Sequence, residues 1–205
     1  MLRKFVATLL CVVLVGCGDS YRPVKRDAPA QPAPQVSPSG PAAEMSPDTP
    51  APASGGQVDL AAIRLTAPDS WNRKQPQSGF VAAEFGLPRA EGDDNDGRLT
   101  ISVAGGSVKD NIDRWRGQFG GNLQNDSQQE QEIAGTQVTV VDFSGTYNDQ
   151  PGPFAPGVER QGYRMLAAII PVSDQLHFIK AYGPEKTIAQ HEQAFRAFLE
   201  TLQLK

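Results

Sequence analysis

The chain has 205 residues and a formal net charge of −4, with 19 Lys and Arg against 23 Asp and Glu. From Asp59 onward, 14 basic residues stand among 19 acidic ones, a net charge of −5 with the two signs interspersed. This balance excludes nucleic acid and anionic lipid as partners held by the overall field of the protein. Because both cysteines lie within the first 17 residues, the rest of the chain has no thiol for a disulfide or a metal site.

The N-terminus has the pattern of a secretory signal, with basic residues 3–4 followed by an apolar run over residues 5–15. That run is shorter than the roughly 20 residues of a membrane-spanning helix. Its end, Leu14-Val15-Gly16-Cys17, resembles the bacterial lipobox. The resemblance implies a signal peptide over 1–16, cleavage before Cys17, and a lipid-bearing Cys17 with acyl chains such as palmitate that anchor the protein in a membrane. An ordinary secretory signal with an incidental cysteine is the alternative.

The residue after Cys17 bears on which membrane holds the protein. In the enterobacterial sorting pattern, Asp at that position retains a lipoprotein in the inner membrane. Here Gly18 stands there and Asp19 comes one position later. By this resemblance the domain lies on the periplasmic side of the envelope, and the outer membrane is favoured over the inner.

Residues 17–58 are predicted to be a lipidated cysteine followed by a disordered tether. Nine of the 17 prolines lie in this segment, and Tyr21 is its only aromatic residue. A stretch with so few large apolar side chains cannot offset the entropy cost of folding. Proline bias extends such a chain, so we expect the tether to hold the domain away from the lipid.

Residues 59–205 are predicted to form a single globular α+β domain. Strands are expected over 63–67, 80–87, 98–104, 129–133, 136–147, 163–172 and 175–182, with another beginning at 71–74. A helix should follow Ser107, which with Asp110 resembles a capping box, and a last helix should begin near Pro184. Apolar residues spaced by three and four support both helices. On strand 136–147, Val141 and Phe143 mark the expected core face.

Several stretches of this domain resemble known proteins. Leu65 to Trp71 (LTAPDSW) is similar to the Pro-x-x-Trp turn of the PsbP-like α-β-α sandwich class. Segments 106–119, 163–171 and 182–195 resemble uncharacterised bacterial lipoproteins. These resemblances imply an antiparallel sheet with packed helices. They imply no role, because fold does not determine function.

Catalytic motifs are missing from the sequence, and no catalytic residue, metal site or cofactor is predicted. His191 falls on the apolar stripe of the last helix, and His177 has apolar neighbours in a strand, so both are interpreted as core histidines. Asp93, Asp94 and Asp96 precede Gly97, but the spacing fails the calcium-loop pattern. A solvated hairpin turn is favoured there over a weak cation site.

The segment most suggestive of binding is a predicted 14-residue loop over 148–161, where three prolines surround Phe154. Tyr147 and Arg160 flank it, and Trp71 follows a turn. These four residues form the candidate binding surface, although Phe154 could instead fold back onto the sheet. The sequence therefore predicts a non-catalytic interaction or scaffold domain for another envelope protein. A small-ligand-binding periplasmic domain is the alternative, and an enzyme is the least favoured class.

Overall fold

One antiparallel sheet and two helices make up the part of the chain that the computed structural model describes, residues 54–121, 123–150 and 156–205. The strands are β1 Ser54–Asp59, β2 Ile63–Lys74, β3 Val81–Leu87, β4 Gly97–Ala104, β5 Leu123–Ile133, β6 Thr136–Asp149, β7 Val158–Val172, β8 Gln175–Pro184 and β9 Gln203–Leu204. The helices are α1 Val108–Gly117 and α2 Glu185–Glu200. The strand order is β1-β2-β3-β4-β8-β7-β6-β5, and β9 pairs with β2. The predicted antiparallel sheet with packed helices is thus confirmed.

The two helices are associated with separate apolar clusters. Every strand from β1 to β8 contributes to the cluster that contains α2 residues, whereas only β6, β7 and β8 join the cluster that contains α1 residues. On β6, Val140 belongs to the first cluster and Val141 to the second. Because successive strand residues point to opposite faces, the clusters lie on opposite sides of the sheet. We call these sides the α2 face and the α1 face.

Both predicted helices are present. The Ser107 hydroxyl accepts a hydrogen bond from the backbone N–H of Asp110 at 3.0 Å, which caps α1 as the sequence indicated. Pro184 directly precedes α2. Val108, which the spacing also placed on the core face of α1, is only partly buried. The other helix residues that the spacing assigned to the core are all buried. They are Ile112, Trp115 and Phe119 at α1, and Ile188, Phe195, Phe198, Leu199 and Leu202 at α2.

Some predicted boundaries and faces were wrong. Residues 54–58, assigned to the tether, belong to β1, which pairs with β2. The turn expected at Pro68 lies within β2, which continues without a break to Lys74. Val138 and Val140 are as well buried as the expected core face of β6, because a helix covers each side of the sheet there. No helix in the described residues is long and apolar enough to cross a membrane.

Both ends of the predicted loop 148–161 belong to strands. β6 extends to Asp149 and β7 begins at Val158, with Asp149 opposite Val158 and Tyr147 opposite Arg160. β8 ends at Pro184, opposite Tyr163 of β7. The β6–β7 hairpin therefore extends past the end of its neighbour, and this extension forms one wall of the site described next.

Candidate functional site

A cleft lies on the α1 face, beside the part that α1 covers. Its volume is about 360 Å³, within the range of small-molecule sites. We call it the tyrosine cleft. It is lined by Lys74, Gln77, Glu84, Asn95, Asp96, Arg98, Asp149, Arg160, Tyr163, Tyr182 and Gly183.

The cleft continues along the β6–β7 hairpin. A second hollow of about 320 Å³ shares Asn95, Arg160 and Tyr163 with it. Gly183 marks a close approach of strands at the cleft floor, where an added Cβ would lie 2.8 Å from the Cα of Gly97. Since real Cβ atoms do not approach so closely, a side chain at Gly183 would push β8 away from β4.

Arg98 holds one wall of the tyrosine cleft in place. Its guanidinium donates to both carboxylate oxygens of Glu84, at 3.0 and 2.9 Å, and to the Tyr182 hydroxyl at 2.7 Å. Such bidentate pairs fix geometry as well as charge. The hydrogen bond to Glu84 raises the pKa of Arg98, and burial raises the pKa of Tyr182. This wall is therefore rigid and electrically balanced.

Lys180 lies behind the cleft, between α1 and the tyrosines. Its ammonium donates to Gln118 Oε1 at 2.7 Å and to the Tyr147 hydroxyl at 3.1 Å. The ring of Tyr182 lies 4.8 Å from Lys180 Nζ. Burial, with a smaller contribution from the positive charge of Arg114, lowers the pKa of Lys180 to about 7. The group thus titrates near neutral pH.

On the opposite wall, one buried donor has no hydrogen-bond partner among the described residues. The Tyr163 ring stacks on Tyr147, with ring centres 6.1 Å apart and planes 4° apart. Arg160 Nε is buried, and within the described residues it has no hydrogen-bond partner. Its nearest carboxylate, Asp149 Oδ2, lies 3.7 Å away, beyond hydrogen-bond distance. Lys74 likewise forms no ion pair with any described residue.

The structure places the four predicted binding residues in different positions. Tyr147 and Arg160 lie side by side at the tyrosine cleft, where Arg160 lines the wall and Tyr147 supports Tyr163. Trp71 is fully buried on the α2 face, so its assignment to a binding surface is corrected. Phe154 lies outside the described residues, as does Cys17.

The Trp71 indole and both histidines are buried in the fold and lie outside the tyrosine cleft. Trp71 Nε1 donates to His191 Nδ1 at 3.2 Å, and His191 Nε2 lies 2.9 Å from the Pro88 carbonyl oxygen. A neutral His191 that donates from Nε2 satisfies both contacts. His177 is buried, its Nδ1 has no partner among the described residues, and burial lowers its pKa. Neither histidine lines the tyrosine cleft.

The acidic turn before Gly97 caps a distant helix. Asp93 Oδ2 accepts from the Thr187 backbone N–H at 2.9 Å and from the Thr187 hydroxyl at 2.6 Å. Asp96 Oδ1 accepts from the Arg89 N–H at 3.2 Å. Within the described ranges, no three His, Cys, Asp or Glu side chains are arranged to hold a metal ion. The turn therefore supplies the cap that Pro184 cannot give to α2.

Sequence reasoning did not identify four important residues of this site. Arg98, Tyr163 and Tyr182 meet only across strands that are distant in sequence, so no local pattern points to them. Lys180 left a signal, because it is a charged residue in the otherwise apolar strand predicted over 175–182. A lysine at such a position is either paired or has a shifted pKa.

Comparisons with known proteins give only distant similarities. No protein-family model and no curated protein matches the sequence. The structure is similar to the solution structure of cyanobacterial PsbP (CyanoP) from Synechocystis sp. PCC 6803, with a TM-score of 0.47 and 12% identity over 78% of this chain and 98% of that one. It is similar to LpqN, involved in cell envelope biogenesis of Mycobacterium tuberculosis (TM-score 0.44, 15% identity, 70% and 83% coverage).

A third similar structure is PA94 of Pseudomonas aeruginosa, a protein of unknown function (TM-score 0.43, 17% identity, 74% and 98% coverage). The class that the Leu65–Trp71 segment resembles is thus represented among these structures by CyanoP. All three TM-scores lie below 0.5, so these similarities carry no argument about what the chain does.

Proposed function

We propose that this chain is a lipid-anchored envelope protein whose domain binds a component of the envelope at the tyrosine cleft and catalyses no reaction. The lipobox-like end of the signal, at Cys17, supports the anchor. The observation that carries the binding role is the wall of Arg160 and Tyr163, where a buried guanidinium nitrogen faces no partner among the described residues. A protein leaves such a donor unpaired at a cost, which a bound ligand can recover.

The favoured component is another envelope protein. β6 and β7 extend past the end of β8, so their described ends can contact a partner surface. Arginine and tyrosine are enriched where protein interfaces gain most of their affinity. Neither histidine lies in the cleft with a nucleophile, which supports binding rather than catalysis.

A second candidate is the binding of a small polar ligand. The volume of the cleft, about 360 Å³, favours it. Most of the residues that line the cleft are polar or charged. Such a ligand would therefore be held by hydrogen bonds as well as by the tyrosine rings.

In-cell crosslinking of the full-length lipoprotein, followed by affinity purification and mass spectrometry, tests the proposal. Arg160→Ala removes the guanidinium whose Nε has no hydrogen-bond partner among the described residues. Phe154→Ala removes the aromatic residue predicted to contact a partner, and Arg196→Ala is a control on the exposed side of α2. We expect one abundant partner that Arg160→Ala loses and Arg196→Ala retains. A partner that both variants retain equally, or no partner above background, contradicts a protein-binding role for the cleft.

The anchor is tested separately. Cys17→Ser should abolish incorporation of a palmitate analogue and release the protein from the membrane fraction. If Cys17→Ser stays membrane-bound with its signal uncleaved, the apolar N-terminal run is itself the anchor.

A further inference from the structure

We propose that the tyrosine cleft binds an uncharged, hydroxyl-rich ligand, a carbohydrate of at least two sugar rings. This inference rests on the second candidate function, the binding of a small polar ligand at the cleft, and names the chemical class of that ligand. Three properties of the lining carry it: balanced charge, unsatisfied hydrogen-bonding groups, and partly exposed tyrosine rings.

Charge balance favours an uncharged ligand. The lining of the first hollow contains three cations and three carboxylates, which are Lys74, Arg98, Arg160, Glu84, Asp96 and Asp149. The second hollow adds the carboxylates Asp93, Asp94 and Glu159 and no further cation, and Asp93 is already bonded to Thr187, so an anionic ligand is disfavoured further. Arg98 and Glu84 neutralise each other through two hydrogen bonds. An anionic ligand would be attracted by Lys74 and Arg160 but repelled by Asp96 and Asp149. A cationic ligand would be attracted by the two carboxylates and repelled by the two basic residues.

Unsatisfied groups of both kinds line the cleft. Arg160 Nε is a buried donor without a hydrogen-bond partner in the described part of the chain, and Lys74 adds an exposed ammonium. Asp149 is an acceptor held only loosely, 3.7 Å from Arg160. The amides of Gln77 and Asn95 offer donors and acceptors together. A sugar hydroxyl both donates and accepts, so a polyol matches this mixed set better than a carboxylate or an ammonium does.

The tyrosine rings supply the apolar contact. Tyr163 and Tyr182 are partly exposed and line the cleft. Each is held from behind, Tyr163 by stacking on Tyr147 and Tyr182 by its hydrogen bond to Arg98. Aromatic rings fixed in this way present a flat apolar surface at little entropy cost, and tyrosine adds a polar edge. The C–H faces of a sugar ring are apolar and suit such a surface.

The length of the cleft sets the size of the ligand. The second hollow, about 320 Å³, shares Asn95, Arg160 and Tyr163 with the first. The two hollows therefore meet at Tyr163, and a chain of two or more rings would pass over that side chain. Removing the Tyr163 ring should weaken binding more than removing its hydroxyl.

Isothermal titration calorimetry on the domain with its β1 strand intact tests this inference. The probes are the neutral disaccharides cellobiose and N,N′-diacetylchitobiose, with digalacturonate as an anionic analogue. We expect at least one neutral probe to bind, Tyr163→Leu to weaken it by at least about tenfold, and Tyr163→Phe to weaken it less. Lys74→Met, an exposed position with no described partner, should weaken binding without lowering thermal stability, and Arg196→Met should change nothing.

Ionic strength distinguishes the ligand classes. Affinity for the neutral probe should be unchanged between about 50 and about 500 mM NaCl, because salt screens only charged interactions. Tighter, salt-sensitive binding of digalacturonate, or no binding of any probe, overturns the carbohydrate assignment. If no probe binds and Arg160→Ala still loses a crosslinked protein in cells, this inference fails while the proposed binding role stands.

A pull-down with isolated envelope glycan separates the two sources of such a ligand. Retention of the wild-type domain on insoluble glycan, competed by the neutral disaccharide, indicates a polymer of the envelope. Disaccharide binding without retention indicates a free sugar. Retention that the disaccharide does not compete and that Tyr163→Leu does not reduce places the glycan contact elsewhere and overturns the assignment.

Discussion

On the α2 face, every strand from β1 to β8 contributes to one apolar cluster under α2. On the α1 face, only β6, β7 and β8 contribute to the cluster with α1, and polar residues of β3 and β4 line an open cleft beside it. Trp71 and Tyr163 show the contrast. Trp71 has its N–H bonded and its ring enclosed, whereas Tyr163 stacks on one neighbour and lines the cleft. The α2 face therefore stabilises the fold, and the α1 face is available for binding.

The largest expected effect is on the α2 face. Trp71→Ala should lower the free energy of unfolding by about 3–5 kcal/mol, because it leaves a cavity against Phe85 and Phe198 and an unpaired His191 Nδ1. Tyr163→Ala should cost roughly 1–2 kcal/mol, since its ring is only partly buried. Urea unfolding of both variants measures this. Equal losses of unfolding free energy in the two variants would contradict the contrast between the faces.

Two arginines of β7 give a matched pair with a smaller expected effect. Arg164 is 13% exposed and bonds Asp142 at 2.8 Å and Glu192 at 2.7 Å, which ties α2 to the sheet. Arg164→Met should cost about 2 kcal/mol, because two carboxylates lose their partner. Arg160→Met should change stability by less than about 0.5 kcal/mol. Thermal and urea unfolding should show a larger loss of stability for Arg164→Met than for Arg160→Met. A larger loss for Arg160→Met would mean that the arginine at the cleft is the one that stabilises the fold.

The smallest expected effect is a pH dependence from His177. Burial lowers the folded-state pKa of His177 below the unfolded value of about 6.5. The unfolded chain therefore binds the proton more readily, so stability is complete above pH 6.5 and falls as the pH drops through the folded-state pKa. Urea midpoints measured from pH 7.5 to pH 5 should decline less in His177→Leu than in the wild type. An identical decline in both would assign the acid sensitivity to other groups.

Sequence patterns predicted the elements well where the signal was local. The spacing of Ile112, Trp115 and Phe119 located α1, and alternation located most strands. The start of β1 was not predicted, because residues 54–58 are small or polar and form a strand only by pairing with β2. The ends of the predicted loop over 148–161 belong to strands for a similar reason, since their polar residues pair across β6 and β7.

The candidate site was only half predictable. Tyr147 and Arg160 flanked a proline-rich segment, which is a local signal. Arg98, Tyr163 and Tyr182 come together through the order β4-β8-β7, and that order cannot be deduced from spacing. Trp71 was misassigned because the Pro-Asp-Ser segment before it is typical of a turn. In the structure this segment is part of β2, and Trp71 is buried.

The measurement that tests the contrast between the faces most directly is site-specific photocrosslinking in cells with the full-length protein. A photoreactive amino acid replaces Gln77, which lines the tyrosine cleft, or Gln193, an equally exposed glutamine on α2. We predict a discrete crosslinked product from Gln77 and none from Gln193. The same product from both positions, or a product from Gln193 alone, would contradict the assignment of binding to the α1 face.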